Sequence, residues 1–305
     1  MNKTSIVIAG PTAAGKTAIA VQLAQHFNTQ IISADSRQCY RELNIGVAKP
    51  SVEELAQVHH YFINSHGIHE NVSAADFEHY ALDAAGKIFR NNDIAVMVGG
   101  TGLYIKAFAE GLDKIPATDE KIRDLIIHSY REKGIAWLQD QLKAEDPAFA
   151  AAGEMQNPQR MMRALEVKRS TGRSISSFQL KQNPKRDFNI IQVGLELPRE
   201  LLYERINSRV DKMIEAGLID EVKSLLPFKE LNALQTVGYK EIFSYFEGTS
   251  TKAGAIEQIK QNTRHYAKRQ MTWFRKDEAV EWVAPVFEEV LENVERRTID
   301  VQRST

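Results

Sequence analysis

The chain has 305 residues, of which 43% are hydrophobic and 26% charged, and its 39 Lys and Arg nearly balance 40 Asp and Glu. This average composition excludes a disordered, collagen-like or disulfide-rich protein, and the length predicts about two domains at roughly 150 residues each. A formal net charge of -1 gives no overall field that would attract a polyanion. Any contact with nucleic acid therefore depends on local clusters of Lys and Arg.

The cysteine content and the apolar runs indicate the cellular compartment. A single cysteine, Cys39, cannot form an internal disulfide, which is typical of proteins in a reducing environment. The longest nearly apolar run, Ile94 to Ile105, is shorter than the ~18 residues that suggest a membrane span. The first ten residues lack a signal-peptide pattern because a Gly-Lys loop follows them at once. We therefore expect a cytoplasmic protein with no membrane partner.

The first elements predict a phosphate site. An apolar run, Ser5–Ala9, leads into a loop of the form G-x-x-x-x-G-K-[ST], and helical spacing follows it. In such a loop backbone N–H groups face phosphate oxygens, Lys16 adds positive charge, and the Thr17 hydroxyl can hold Mg²⁺. A glycine turn that binds nothing is the alternative, and the flanking strand and helix disfavour it. The predicted phosphate-binding residues are Gly10, Pro11, Thr12, Ala13, Ala14, Gly15, Lys16 and Thr17.

Two further apolar runs, Gln30–Ala34 and Ile94–Val98, predict strands that end at Asp35 and shortly before Thr101. Apolar strands that alternate with helices indicate a parallel sheet covered on both faces. Since the carboxyl ends of such strands face the ligand crevice, Asp35 and Thr101 should point toward the phosphate site. The strand Ile94–Val98 is followed by Gly99, Gly100 and Thr101. It therefore lacks the terminal carboxylate with which nucleotide hydrolases and kinases organise Mg²⁺. Asp35 is left as the acid near the loop, unless it only caps the next helix.

The middle of the chain predicts an insertion. Strand patterns disappear between about Pro116 and Lys185, where helical spacing predominates, and they return at Ile190–Leu195 before a long helix that begins near Pro198. We predict an α/β fold: a P-loop NTPase-like parallel sheet core at residues 1–115 and 186–305, with an inserted helical domain at 116–185. The polar end of the chain, residues 292–305, is expected to be poorly ordered.

Two tracts supply local positive charge. The first lies in the predicted insertion and includes Arg160 and Arg163, with Glu166 as its only acid. The second, residues 260–276, contains six Lys and Arg and no Asp or Glu, interleaved with Tyr266, Trp273 and Phe274. Basic side chains mixed with aromatic ones are typical of RNA-binding surfaces, although a solvated face is the plainer alternative.

An ordered series of motifs between residues 10 and 275 resembles the tRNA dimethylallyltransferase, or isopentenyl-tRNA transferase, family. The motifs begin at the phosphate loop and extend almost to the end of the second basic tract. They are Gly10–Thr17, Asp35–Tyr40, Gly46–Pro50, His59-His60, Ser73–Phe77, Gly99–Tyr104, Asn157–Arg160, Gly238-Tyr239 and Ala267–Arg275. His59 and His60 are part of this family pattern. The spacing of the histidines fits no zinc site.

The resemblance implies a reaction. A dimethylallyl group would pass from dimethylallyl pyrophosphate to the exocyclic N6 amine of the adenosine 3′-adjacent to the anticodon of a tRNA, releasing pyrophosphate. The loop would then hold pyrophosphate, with Mg²⁺ as cofactor. The implied catalytic residues are Asp35 as general base, Thr101 near the substrate amine, and Arg209 on the pyrophosphate. A base would help because the adenine amine is a weak nucleophile.

The resemblance also implies contacts with the anticodon stem-loop, from which the adenosine must be extruded. The residues implied are Asp35, Ser36, Arg37, Gln38, Thr101, Arg123, Gln159, Arg160, Met161, Met162 and Arg163. For Met161 and Met162 the sequence leaves two alternatives open, packing against the RNA or filling the core. Two other classes stay open: a small-molecule kinase that uses the loop with ATP, and a noncatalytic RNA-binding module. We expect a monomer.

Overall fold

In the computed structural model, which describes residues 3–179 and 184–303, six strands form one parallel sheet in the order β3-β2-β4-β1-β5-β6. The strands are β1 (Thr4–Ala9), β2 (Ile31–Ala34), β3 (His60–Tyr61), β4 (Ile94–Gly99), β5 (Asn189–Leu195) and β6 (Val280–Val283). The four strands at the centre of the sheet are those that the apolar runs predict. The outer strands β3 and β6 were not predicted, because neither is a long apolar run.

Helices cover both faces of this sheet. They are α1 (Lys16–His26), α2 (Val52–Gln57), α3 (Ala74–Ile88), α4 (Gly102–Glu110), α8 (Arg199–Glu215), α9 (Leu218–Ser224), α10 (Tyr239–Phe246), α11 (Lys252–Phe274) and α12 (Phe287–Arg303). Strand β1 is entirely buried and supplies two cores: Ile6 and Ile8 face one side of the sheet, while Val7 and Ala9 face the other. This period of two explains why a buried parallel strand is apolar at every position.

Residues 292–303 are helical, contrary to the sequence-based expectation for the polar end of the chain. Helix α12 extends to Arg303, and residues 304–305 lie outside the described part of the chain. Val290 and Val294, one helical turn apart, are fully buried in the core that includes Ile6 and Ile8. The expectation of disorder was wrong because α12 has an apolar stripe, with Phe287 and Leu291 packed beside the two valines, that anchors an otherwise polar segment to the core.

The chain divides into two compact units, Met1–Glu110 with Lys185–Thr305 and Gly111–Pro184. The second unit is helical, with α5 (Glu120–Glu145), α6 (Pro147–Ala152) and α7 (Pro158–Thr171), and residues 180–183 of the predicted insertion lie outside the described residues. Its core includes Leu138, Leu142 and Leu165. Asn157 caps α7 through its side chain, with Pro158 in the first turn, as helix starts commonly show. No helix in the described residues is long and apolar enough to cross a membrane.

Candidate active site

The loop Gly10–Thr17 joins β1 to α1 and turns through left-handed backbone conformations. Gly10, Ala13 and Gly15 have φ values of 136°, 65° and 92°. At Gly10 a Cβ atom would also lie 2.7 Å from the carbonyl oxygen of Leu195, so only glycine fits there. No side chain caps the amino terminus of α1, which leaves its first N–H groups to bind an anion.

Two of the cations that line the cavity at this loop, Lys16 and Arg209, are buried deeply enough to shift their pKa values. The Lys16 ammonium donates a hydrogen bond to the carbonyl oxygen of Pro11 at 2.7 Å. Burial, and then the neighbouring Arg209, lower the pKa of Lys16 to about 7, although Asp35 acts in the opposite direction. The pKa of Arg209 is lowered as well, chiefly by burial. An anionic ligand between these groups would favour both charged forms.

Helix α8 presents Arg209 to the loop. Leu202, Ile206 and Val210 are buried along one stripe of this helix, as its spacing predicts. Arg209 lies beside that stripe, and its Nη1 donates to the hydroxyl oxygen of Thr12 at 3.2 Å. Arg205, one turn earlier, lines the same cavity. The structure therefore brings Arg209 to the phosphate loop, where the resemblance requires it.

Asp35 follows β2 and is held by its own turn. Its Oδ1 accepts hydrogen bonds from the backbone N–H groups of Arg37 at 2.8 Å and Gln38 at 3.2 Å. Asp35 therefore caps a turn at residues 36–39, and not a helix as the alternative in the sequence analysis expected. At the end of β4, Thr101 Oγ1 accepts the N–H of Ser36 at 3.1 Å. The ends of these two neighbouring strands thus place Asp35, Ser36 and Thr101 together, as the parallel topology predicts.

Two cavities meet at Asp35. The first has a volume of about 650 Å³ and is lined by Lys16, Thr17 and other residues of the phosphate loop. The second, of about 440 Å³, is lined by Ser36 and Arg37. Residues that line both cavities are Thr12, Asp35, Val47, Ala48, Arg209 and Tyr266. A carboxylate at this junction can reach both a phosphate ester in the first cavity and a nucleophile in the second.

Helix α11 contributes two residues, Tyr266 and Gln270, that were not predicted to belong to the active site. Tyr266 lines both cavities, and burial together with Asp35 raises the pKa of Tyr266 to about 12. Gln270, one turn later, is buried. Its Oε1 accepts the N–H of Thr12 at 2.8 Å, and its Nε2 donates to the carbonyl oxygen of Gly100 at 2.9 Å. The available signals were their four-residue spacing within the second basic tract and the position of Gln270 inside the motif Ala267–Arg275.

Four of the six residues predicted to contact tRNA from the helical unit share a surface cavity, and the other two do not. Arg123, Gln159, Met162 and Arg163 line one shallow cavity of about 90 Å³. Arg160 does not line it and forms an ion pair with Glu154. Met161 is 0% exposed and packs in the core of the unit. A direct contact of the Met161 side chain with RNA was therefore a wrong expectation, because no part of that side chain reaches the surface.

Glu166 organises the arginines beside this shallow cavity. Its side chain is 5% exposed, and it accepts a hydrogen bond from Arg163 Nη1 at 3.0 Å and one from the Thr118 hydroxyl. Arg123 Nη1 lies 3.9 Å from the same carboxylate. A buried carboxylate needs such partners. Arg163 and Arg123 are consequently held in place at the surface of the helical unit.

A parallel sheet whose first strand leads into a phosphate loop defines a P-loop NTPase-like fold, and the two adjoining cavities define a site for a phosphate ester and a second substrate. The IPP transferase family profile matches residues 38–277. The tRNA dimethylallyltransferase of Christiangramia forsetii is 49% identical over 92% of this chain and 93% of its own length. That of Cytophaga hutchinsonii is 45% identical over 93% of this chain and 94% of its own. The chain belongs to the IPP transferase family, which includes the tRNA dimethylallyltransferases.

Solved structures agree with this assignment. The tRNA isopentenylpyrophosphate transferase of Bacillus halodurans superposes with a TM-score of 0.70 at 37% identity, covering 99% of this chain and 96% of its own. A eukaryotic dimethylallyltransferase acting on tRNA gives a TM-score of 0.78 at 26% identity, over 99% of this chain and 79% of its own. The similarity thus extends over nearly the whole chain.

Proposed function

We propose that this protein transfers a dimethylallyl group from dimethylallyl pyrophosphate to the exocyclic N6 amine of the adenosine 3′-adjacent to a tRNA anticodon. The observation that carries the proposal is the position of Asp35, which lines both the cavity at the phosphate loop and the cavity beside Ser36 and Arg37. The donor pyrophosphate occupies the first cavity and the extruded adenine enters the second. The reacting amine and the allylic carbon then meet next to Asp35.

The site residues divide the reaction between them. The amine nitrogen forms a bond to the allylic carbon, the C–O bond to pyrophosphate breaks, and the leaving oxygen takes that electron pair. Asp35 accepts the proton that the amine loses, which assists a weak nucleophile. Lys16, Arg209 and the N–H groups of the loop stabilise the charge that develops on the pyrophosphate. Thr101, held beside Asp35 by Ser36, orients the amine.

Thr17 suits a role as the protein ligand to Mg²⁺. It is the hydroxyl of the loop motif and it lines the first cavity. Mg²⁺ commonly keeps several waters and takes one or two protein ligands together with substrate phosphates, so a single hydroxyl beside the pyrophosphate fits this ion. When bound, Mg²⁺ offsets the negative charge of the pyrophosphate oxygens.

The helical unit, residues 111–184, supplies further contacts with the tRNA in this proposal. Arg123, Gln159, Met162 and Arg163 share a surface cavity, and basic side chains there suit the phosphates of an anticodon stem-loop. Arg160 adds charge from the first turn of α7. We propose a cytoplasmic location, to which the single cysteine, Cys39, free and buried, is suited, and we propose that the enzyme acts as a monomer.

The test is a reaction with defined products. The protein is incubated with Mg²⁺, dimethylallyl pyrophosphate and unmodified tRNA, the RNA is digested, and the nucleosides are examined by mass spectrometry. We expect prenylated adenosine with the wild-type protein and almost none with Asp35→Asn. Consumption of ATP without any prenylated adenosine would contradict the proposal and favour a kinase. Binding of tRNA without any turnover would favour a noncatalytic RNA-binding module.

A further inference from the structure

A short loop, residues 44–48, forms part of the wall of both cavities, and we call it the Gly46 loop. Val47 and Ala48 line both cavities, and Gly46 lines the second. The loop closes on itself, because the N–H of Ala48 donates to the carbonyl oxygen of Ile45 at 3.0 Å and Ala48 has a left-handed backbone with a φ of 48°. The position of this loop therefore shapes the place where the two cavities meet.

Glu221, on α9, holds the Gly46 loop although it lines neither cavity. Its Oε2 accepts the N–H groups of Asn44 at 3.2 Å and Ile45 at 2.8 Å, and its Oε1 accepts the N–H of Gly46 at 3.1 Å. Consecutive N–H groups thus converge on a carboxylate, an arrangement in which the backbone binds an anion. Hydrogen bonds to an ionised acceptor are stronger than those between neutral groups. Glu221 therefore fixes the loop from outside the active site.

Tyr239, the first residue of α10, completes this arrangement. Its hydroxyl donates to Glu221 Oε1 at 2.6 Å, and its side chain is fully buried. Burial, and then the neighbouring Glu221, raise the pKa of Tyr239, so the hydroxyl keeps its proton and remains a donor. The ring also lies against the loop, because a Cβ atom at Gly46 would be 2.5 Å from Tyr239 Cε2. The lack of a side chain at Gly46 therefore allows this close approach.

Gln38 connects the Gly46 loop to the proposed general base. Its Nε2 donates to the carbonyl oxygens of Val47 at 3.2 Å and Ala48 at 3.0 Å. The backbone N–H of Gln38 donates to Asp35 Oδ1 at 3.2 Å. A displacement of the loop would therefore be transmitted to Asp35 as well as to the walls of both cavities.

We propose that Glu221, together with Tyr239, is a positioning residue for the transfer reaction. The pair holds the Gly46 loop so that the allylic carbon in the first cavity and the attacking amine in the second are aligned beside Asp35. This inference rests on the proposed function, because it concerns the alignment of the same two substrates. The pyrophosphate is bound separately, by Lys16, Arg209 and the N–H groups of the phosphate loop. Loss of the Glu221 carboxylate should therefore lower kcat far more than the affinity for the donor.

The first test compares kcat with donor affinity in Glu221→Gln. This variant keeps the size of the side chain, but in either orientation its amide nitrogen faces a backbone N–H from which it cannot accept a hydrogen bond. Since a displacement of about 1 Å can lower a rate by roughly 100-fold, we expect kcat at saturating tRNA to fall at least ~10-fold. The Kd for dimethylallyl pyrophosphate without RNA, measured by calorimetry, should stay close to that of wild type. The calorimetric stoichiometry also gives the folded fraction, so a loss of kcat cannot be mistaken for unfolding.

A second variant, Gly46→Ala, moves the loop and leaves the Glu221 carboxylate intact. The added methyl group would meet the buried Tyr239 ring, so we expect a similar fall in kcat and an unchanged donor affinity. Because both variants act on one loop, their combination should lower kcat by less than the product of the separate effects. Tyr239→Phe keeps the ring and removes one of the donors to Glu221, and it should lower kcat less than Glu221→Gln does.

Glu281→Gln is the matched control. Glu281, on β6, accepts a hydrogen bond from Asn293 Nδ2 at 2.8 Å and pairs with Arg296, and it lines neither cavity. This variant should lose stability and keep kcat. If the wild type prenylates tRNA while folded Glu221→Gln and Gly46→Ala keep kcat within twofold of it, this inference is overturned and the proposed function stands. Should Glu221→Gln fail to fold, the result with Gly46→Ala decides in the same way. If the wild type does not prenylate tRNA, the proposed function fails as well.

Discussion

Gln270 offers a quantitative test of how the site is held together. The substitution Gln270→Met keeps the approximate size of the side chain and removes both of its polar atoms. The N–H of Thr12 then loses its acceptor and the carbonyl of Gly100 loses its donor, which lie 2.8 and 2.9 Å away in the wild type. Each unpaired buried group costs ~1–3 kcal/mol. Since the Thr12 contact is only partly buried, we expect a loss of about 2–4 kcal/mol in the free energy of unfolding.

The kinetic consequence follows from the positions of those two groups. Thr12 lies in the phosphate loop, and Gly100 precedes Thr101 at the end of β4. Strands β1 and β4 stay paired without Gln270, but the loop and the strand end lose the link through its side chain, and a displacement of about 1 Å can lower a rate by roughly 100-fold. We expect kcat/KM for dimethylallyl pyrophosphate to fall at least tenfold. The measurements are urea unfolding and steady-state kinetics at saturating tRNA.

Gln192→Met is the matched control. Gln192 is a buried glutamine on β5, and its Nε2 donates to Asp277 at 2.9 Å, but it lines neither of the two cavities. This variant should lose stability and retain its kinetic constants. If Gln270→Met also loses stability yet keeps kcat/KM within twofold of wild type, then Gln270 only stabilises the fold, and a positioning role is refuted.

The remaining predictions concern charged groups. Asp35→Asn should lower kcat by at least ~100-fold while the Kd for the stem-loop changes only a few-fold; near-normal turnover would exclude Asp35 as the base. The pKa of Lys16 is about 7 in the free protein, so binding of dimethylallyl pyrophosphate, measured by calorimetry, should weaken as rising pH discharges Lys16 above that value. Between about pH 7 and pH 10.5, the pKa values of Lys16 in the folded and unfolded chain, only the unfolded chain holds the proton, so the unliganded fold should become more stable as pH rises through this range. Ligand binding and unfolding that do not depend on pH would contradict these expectations. Arg160→Ala combined with Arg163→Ala should weaken tRNA binding and flatten its salt dependence, and an unchanged salt slope would mean that these arginines face only solvent. Arg163→Ala alone should lower the melting temperature because it removes a partner of the buried Glu166.

The sequence by itself determined the architecture of the core. The apolar runs of β1, β2, β4 and β5 predict buried parallel strands, and the loop after β1 predicts the phosphate site. The convergence of Asp35 and Thr101 also follows from sequence, because parallel strands end at the same edge of a sheet. These features depend on local patterns, namely a continuous apolar strand, a glycine loop and a helical period, which a single stretch of chain contains.

Only the tertiary structure decided which side chains complete the site and which are buried. Gln270 contacts residues that are 258 and 170 positions away in the chain, and no local pattern encodes such a pairing. Met161 and Met162 are adjacent in sequence, yet only Met161 is fully buried. Similarly, Val290 and Val294, with Phe287 and Leu291 beside them, anchor α12 to the core. Burial and long-range hydrogen bonds depend on how distant segments pack against one another, and that packing is settled only when the whole chain has folded.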